Sequence, residues 1–319
     1  MPLSEPSPLA QQWARKYVDN LSTAENLADS PVNKKGLKAG AANRLLDLLR
    51  QVSLKAWSQT EALLGDEIQR HGIDRHLINP WEISQDAYNI YEKALEFYTQ
   101  NTSYSRLPVI IGPDIAKIRK KYTAKDPRVI GFVSMQFHYT GLMLQGHLST
   151  LEKRLLGNCF SIIDDHLYMP LHRAYSAAGK HEINSPKLIL TRNLLDYSAD
   201  ISQVIVERVA QIYPGYKTYT GNLNDPIVFN SSRRDVVMFQ IYLIVCVLEE
   251  SPAILQDELF PLCVMLYPKL KVHWELVRLM VQFIGQEVSA LLGREKLALL
   301  NPYLFTLRDM FSPEIFYDD

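Results

Sequence analysis

Cysteine is scarce in this chain of 319 residues: only Cys159, Cys246 and Cys263 are present. None belongs to a Cys-x-x-Cys pair, which excludes a zinc ribbon and a thioredoxin-like redox motif. An odd count in a chain of this size points to a reducing compartment rather than a disulfide framework. Glycine is also sparse, at 14 residues. Neither Gly-x-Gly-x-x-Gly nor a P-loop occurs, and there is no Gly-x-Ser-x-Gly elbow, so the common nucleotide and nucleophile signatures are missing. Charge of either sign is not in excess: 34 Lys and Arg face 35 Asp and Glu, for a net −1 and a pI near 6.7. A protein that coats nucleic acid needs a strongly basic surface, so that class is not expected. Long apolar runs are absent too. The run at 241–248 is only eight residues long, against the roughly 20 that cross a bilayer. The opening MPLSEPSPLAQQWARKY has no apolar stretch after a basic start, so no secretory signal is expected.

What is present is helical. Hydrophobic residues make up 47% and charged residues 22%, the balance of a globular chain and not of a disordered one. Apolar residues recur at spacings of three and four, and seldom at two. This spacing predicts helices over about 9–28, 35–70 (one or two), 81–101, 129–144, 149–180, 185–213, 230–250, 251–267, 273–292 and 294–310. The punctuation agrees: His71-Gly72 and Tyr213-Pro214-Gly215 stop helices, and Ser251-Pro252 starts one. Residues 102–113, with two prolines and Gly112 around Val109-Ile110-Ile111, read as a loop with a short extended piece. Pro170, inside an otherwise helical pattern, should kink or split the 149–180 helix. The fold class is all-α. The length suggests two domains or one large one.

One stretch carries a resemblance. Residues 230–248 read Asn-Ser-Ser-Arg-Arg-Asp-Val-Val-Met-Phe-Gln-Ile-Tyr-Leu-Ile-Val-Cys-Val-Leu. This resembles the chromophore helix of the phycobiliproteins, the globin-like light-harvesting subunits of the phycobilisome. Arg234-Asp235 matches that helix's Arg-Asp, Phe239 falls at an aromatic position and Cys246 at a later one. Val204–Val209 with Tyr213-Pro214 is similar to the preceding helix and its aromatic-Pro end, and Gly221-Asn222 to the Gly-Asn of the chromophore loop. Residues 255–270 are similar to the next helix, 268–274 to the turn after it, and Leu148-Ser149 with Glu152 to an N-terminal Leu-Ser-x-x-Glu. The matches are scattered over about 147–310.

The resemblance implies a phycobiliprotein-like globin domain at 147–319, preceded by a separate helical domain at 1–146 of unassigned role. It implies Arg234 and Asp235 as cofactor-binding residues: the Asp accepts pyrrole N–H groups and the Arg pairs with a propionate. The attachment cysteine is replaced, since Ser232 stands at its position. A hydroxyl does not replace a thiolate in forming a thioether, so no covalent bilin is expected at 232, and any bilin or other tetrapyrrole would be held non-covalently. The expectation is then a non-enzymatic phycobilisome-related binding or regulatory protein. It would form homo- or hetero-oligomers with phycobilisome or other photosynthetic partners and be cytoplasmic, or peripheral to the thylakoid, in a cyanobacterium. Two alternatives stand beside it: a pigment-free globin-like stress or signalling sensor, and a bilin lyase or chaperone. For Arg234 and Asp235 themselves the plain alternative is a helix N-terminal cap.

Other constellations are weaker. His166 and His172 lie six apart, and His71 and His76 lack the His-x-x-x-His spacing, so no metal is expected. His138, on the apolar 129–144 segment, is a haem candidate or a core histidine. The most basic stretch, 117–125, could meet phosphates or an acidic partner, or be a solvated face. Residues 160–175, rich in Tyr, His and Met, look like an insertion: a partner surface or local core.

Overall fold

The computed structural model describes residues 8–13, 15–16, 31–100 and 106–316. Helix makes up 81% of the structure, and no strand occurs among the described residues. An isolated antiparallel bridge pairs Lys217 with Asn222. The chain separates into two compact units, Met1–His172 and Arg173–Asp319. This division falls later than the boundary expected after residue 146.

In the first unit, α1 (Pro31–Arg70) is one unbroken helix of 40 residues, about 60 Å long at 1.5 Å per residue. The helices after it are α2 (Pro80–Thr99), α3 (Leu107–Thr123), α4 (Ile130–Gly146) and α5 (Thr150–Tyr168). Residues 8–13 and 15–16 are helical, and the remainder of the helix expected to residue 28 lies outside the described residues. Helix α1 packs chiefly on α2 and α4, and α5 packs on α3 and α4. A buried polar tie crosses this core. Gln136 of α4, fully buried, donates from Nε2 to the Ser53 carbonyl of α1 at 2.8 Å, while Ser53 Oγ donates to the Ser84 carbonyl of α2 at 2.9 Å.

The expected loop at 102–113 is corrected: the described part from Leu107 is the start of α3. Its buried residues Leu107, Ile111, Ile115, Ile118 and Tyr122 form one stripe at helical spacing. Pro108 sits in the first turn, where the missing N–H would have no partner anyway. Pro113 does remove an interior bond, and the buried stripe outweighs that local penalty.

The helix expected over 149–180 is two helices, α5 and α6 (Leu171–Ala178), separated at Pro170 as that residue suggests. Ser149 and Glu152 form a capping box at the start of α5, and Arg44 of α1 donates to Glu152 Oε1 at 2.6 Å. This helix therefore belongs with the first unit.

The second unit continues with α7 (Pro186–Ile212), α8 (Pro226–Glu249), a π-helical turn (Leu255–Leu259) running into α9 (Phe260–Leu266), then α10 (Trp274–Leu291) and α11 (Arg294–Met310). Ser185 caps α7 by accepting from Leu188 N–H at 3.2 Å, and Ser251 Oγ accepts from Ala253 N–H at 3.2 Å where the next helix starts. Helix α8 is central: every residue from Val236 to Leu248 is buried. Helices α7 and α11 pack against it, and α10 packs on α7, α8 and α11.

The capping box supplies a test. The Arg44 guanidinium, followed by the Ser149 N–H, holds the Glu152 carboxyl below its ordinary range. Such a group stabilises the fold fully above its unfolded value, and the contribution is lost as pH falls through the lowered folded value. Glu152→Ala should lower the unfolding free energy by about 1–2 kcal/mol at neutral pH, mostly through the cap; Arg44, more than half exposed, should give less than about 1 kcal/mol. In urea titrations the gap between wild type and Glu152→Gln should close as pH drops below about 4.3.

Candidate functional site

The site implied by the sequence lies on α8. That helix starts at Pro226, a turn earlier than the expected residue 230, because Pro226 fits the first turn of a helix. Asp225 folds back, its Oδ2 accepting from Asn222 N–H at 2.7 Å while its carbonyl takes Phe229 N–H at 2.8 Å. Arg234 and Asp235 therefore sit about two turns inside the helix. The alternative role as a helix cap is corrected accordingly: the dipole acts only within the first turn, and neither residue is there.

Ser232, Asp235 and Phe239 share one face of α8, at spacings of three and four. Ser232 is buried, Arg234 and Asp235 are half-buried, and Phe239 is fully buried. Burial, and after it the Asp235 charge, pushes the Cys263 thiol well up, with Tyr267 beside the sulfur. One turn further along, Phe239 meets Phe311 edge-on, with ring centroids 5.9 Å apart. Phe311 opens an aromatic cluster that the sequence reading did not single out. It lies 5.9 Å from Phe260 and 5.8 Å from Trp274. Trp274 lies 6.1 Å from Tyr267 and stacks on Phe316 at 3.9 Å. The members come from α8, α9, α10 and the segment after α11, so no local window of sequence contains them.

The loop before α8 is pinned next to this cluster. Tyr219 N–H donates to the Leu270 carbonyl at 2.9 Å, and Tyr216 Oη donates to the Lys271 carbonyl at 2.8 Å while accepting from His273 N–H at 2.7 Å. Gly221 is required at its place. Its φ is +152°, and a Cβ there would lie 2.3 Å from the Asp225 carboxylate.

The remaining candidates are placed as follows. His166 and His172, expected on different helix faces, are brought together because the chain breaks at Pro170. Both rings press on α3 at Gly112, where a Cβ would stand 3.7 Å from one and 3.6 Å from the other. His166 Nδ1 lies 2.8 Å from the Ile162 carbonyl, and burial lowers this ring to about 4 and lowers His172 too. Burial thus favours the neutral form of each ring. Among the described residues no three His, Cys, Asp or Glu side chains converge as a metal site. His138 is not a core histidine: its side chain is 40% exposed and faces Asp164 at 3.4 Å. Three of the five charges in the basic run have partners within the first unit. Lys117 pairs with Asp114, Lys121 with Glu82 and Asp86, and Arg119 is buried and donates to the Leu167 carbonyl. Phe160, Ile162, Ile163, Leu167, Tyr168 and Leu171 are buried, so most of the 160–175 segment is core.

A second feature missed in the sequence lies at the opposite end of α8. Arg173 donates to both oxygens of Glu249, at 2.8 and 2.7 Å, and to Glu258 at 2.9 Å. The forked pair clamps the corner between α8 and the π-helical turn. Glu250, at φ 56°, closes α8 in the left-handed region.

No helix among the described residues is long and apolar enough to cross a membrane. Comparison with family models, curated proteins and solved structures found no match. Function is therefore argued from the residues and the geometry.

Two outcomes test this description. Cys159, Cys246 and Cys263 are all buried, and burial raises each thiol, Cys246 to about 12. A thiolate-directed reagent should leave the native protein almost unmodified at pH 8 and label all three in denaturant. Gly221→Ala should cost about 1–3 kcal/mol in stability, from strain and the lost Asp225 contact. Gly215→Ala, with open space around it, should be nearly neutral.

Proposed function

We propose that the second unit is a non-enzymatic binding module that holds a tetrapyrrole without a covalent link, in a phycobilisome-related regulatory role. The observation that carries this reading is the shared face of α8. A hydroxyl at 232, a carboxylate at 235 and an aromatic ring at 239 stand in line, and the line continues into the cluster around Trp274. A carboxylate accepts from pyrrole N–H groups, and aromatic faces stack on a flat conjugated system. Arg234 would meet a propionate. Ser232 offers no thiolate, and the three cysteines are buried thiols, so the chemistry of a thioether link has no ready nucleophile. A globin-like fold for the part of residues 147–319 that lies in the second unit, a phycobilisome partner, assembly into oligomers and a place at the thylakoid surface belong to the same reading. They rest on the resemblance of about 147–310.

A second reading is favoured by one specific contact. Phe316 already stacks on Trp274, so the cluster is filled by the chain's own side chain. On that reading the unit is a pigment-free interaction module, as in a stress or signalling sensor.

Titration with biliverdin separates the two. The proposed function expects saturable binding, complete release of pigment on a denaturing gel, and no zinc-enhanced fluorescent band at the protein. Asp235→Asn keeps the side chain's size and removes its charge. It should weaken binding by about 5- to 150-fold, the equivalent of about 1–3 kcal/mol for pyrrole donors left with a poorer acceptor. Absence of binding by the wild type supports the interaction module instead.

A further inference from the structure

We infer that the loop before α8 and the turn after α9 together form a docking surface for an acidic peptide segment of a partner protein. Tyr219 is its aromatic anchor, and Lys217 and Lys271 are the flanking cations. Neither Asp235 nor the cluster around Trp274 takes part, so the surface stands whether or not a pigment binds.

Tyrosines recur at every third position here: Tyr213, Tyr216 and Tyr219. The first two are used within the fold. Tyr213 Oη donates to Glu275 at 2.7 Å, and its ring meets Tyr216 edge-on with centroids 6.3 Å apart. Tyr216 in turn meets His273 edge-on at 5.4 Å. Tyr219 is different. Its N–H is fixed by the Leu270 carbonyl at 2.9 Å, yet the residue is 58% exposed. The loop that carries it is tied at several points. Lys217 bridges to Asn222, Thr218 N–H donates to the Gly221 carbonyl at 2.8 Å, and Leu223, buried, donates to the Tyr216 carbonyl at 3.3 Å. An aromatic residue held in solvent by an ordered main chain loses little further freedom when a partner covers it. Tyrosine is also among the residues that carry most of the energy of protein interfaces.

Charge on this surface is one-sided. Lys217 and Lys271 are exposed, and neither ammonium has an ion-pair partner among the described residues. Elsewhere in the second unit Lys187 pairs with Glu250 and Arg208 with Glu287. The carboxylates of the same segments are engaged, Glu275 by Tyr213 and Asp225 by the Asn222 N–H. Lys271 follows directly on the carbonyl that holds Tyr219. It stands at φ 55°, in the left-handed region that glycine enters at less cost. A lysine there gives up a little stability and places a cation next to the anchor. These lysines are too few to follow a nucleic-acid backbone, where affinity accumulates over many phosphate contacts. They suffice to orient a short acidic segment whose apolar side chain covers Tyr219.

Fluorescence anisotropy with a labelled glutamate decapeptide carrying a central leucine tests this, with oligothymidylate and phosphatidylglycerol vesicles as the other classes of polyanion. The variants are Tyr219→Ala, Lys217→Ala and Lys271→Gly. Tyr219→Ala keeps the main-chain bond to Leu270, and Lys271→Gly relieves the left-handed backbone, so a loss of binding is not a loss of fold. Wild type should bind the peptide, and more weakly as salt rises. Tyr219→Ala should weaken binding about fivefold or more, as truncation of an interface anchor does. Each lysine variant should weaken it by about two- to fivefold, the range of an exposed ion pair, while Lys271→Gly melts at or above the wild-type temperature. No binding by the wild type, or equal binding by the Tyr219→Ala and Lys271→Gly double variant, would overturn the inference. Tighter binding of oligothymidylate or of the vesicles than of the peptide would reassign the surface to nucleic acid or to a lipid surface, and would overturn it as well.

Discussion

A helix buried on all sides has no solvent face on which to carry charge, and that constraint arranges the second unit. From Val236 to Leu248 every side chain of α8 is buried. Its charged residues are therefore confined to the two ends: Arg233, Arg234 and Asp235 before the buried stretch, Glu249 and Glu250 after it. Gln240 is the polar exception within, with its amide directed at the Ser198 and Val236 carbonyls at 3.4 and 3.2 Å. Desolvating an ionised group costs several kcal/mol unless it is paired, so a charge in the middle of α8 would be intolerable without a partner.

The two ends are used differently. At the Glu249 end, Arg173 fixes the helix corner by a forked ion pair and a second carboxylate. This is a rigid, satisfied arrangement around a π-helical turn, and it explains how α8 hands over to α9 without a long loop. At the Asp235 end the carboxylate's charge bears on the buried Cys263 thiol, which has Tyr267 beside it, and the aromatic cluster begins one turn along at Phe239. Here polar and aromatic groups meet at the edge of the core, which is the composition of a ligand site. The contrast is why the binding proposal is attached to one end and not the other.

The first unit follows a different logic. Its long α1 is held by buried polar ties in addition to apolar packing. Gln136 and Ser53 join three helices through main-chain carbonyls, and Tyr91 Oη reaches the Phe137 carbonyl at 2.9 Å. Tyr91 also explains Gly141: a Cβ at that glycine would stand 2.5 Å from the phenol oxygen. Buried groups with defined partners restrict how helices slide past one another. His166, buried, and His172, half-buried, sit together against Gly112 of α3.

The all-α class, most helix ends and the break at Pro170 were legible because they are local. Apolar spacing reports which face is buried, and Ser-Pro, Pro-Gly and a capping box report where helices start and stop. The composition alone pointed away from a disulfide framework, and the three cysteines are free. Arg234, Asp235 and the serine at 232 were also legible, as a motif. Three things were not. The run of α3 through Pro113 depended on burial outweighing a local penalty. The meeting of His166 with His172 depended on a chain reversal. The cluster of Phe239, Phe260, Trp274, Phe311 and Phe316 depended on four separate segments converging. Local propensity acts within a few residues, whereas a site is a property of surfaces brought together from across the chain. In this protein the sequence by itself determined the helices and the charged pair on α8, and only tertiary packing decided that the Asp235 face would lead, one turn along at Phe239, into an aromatic cluster drawn from four segments.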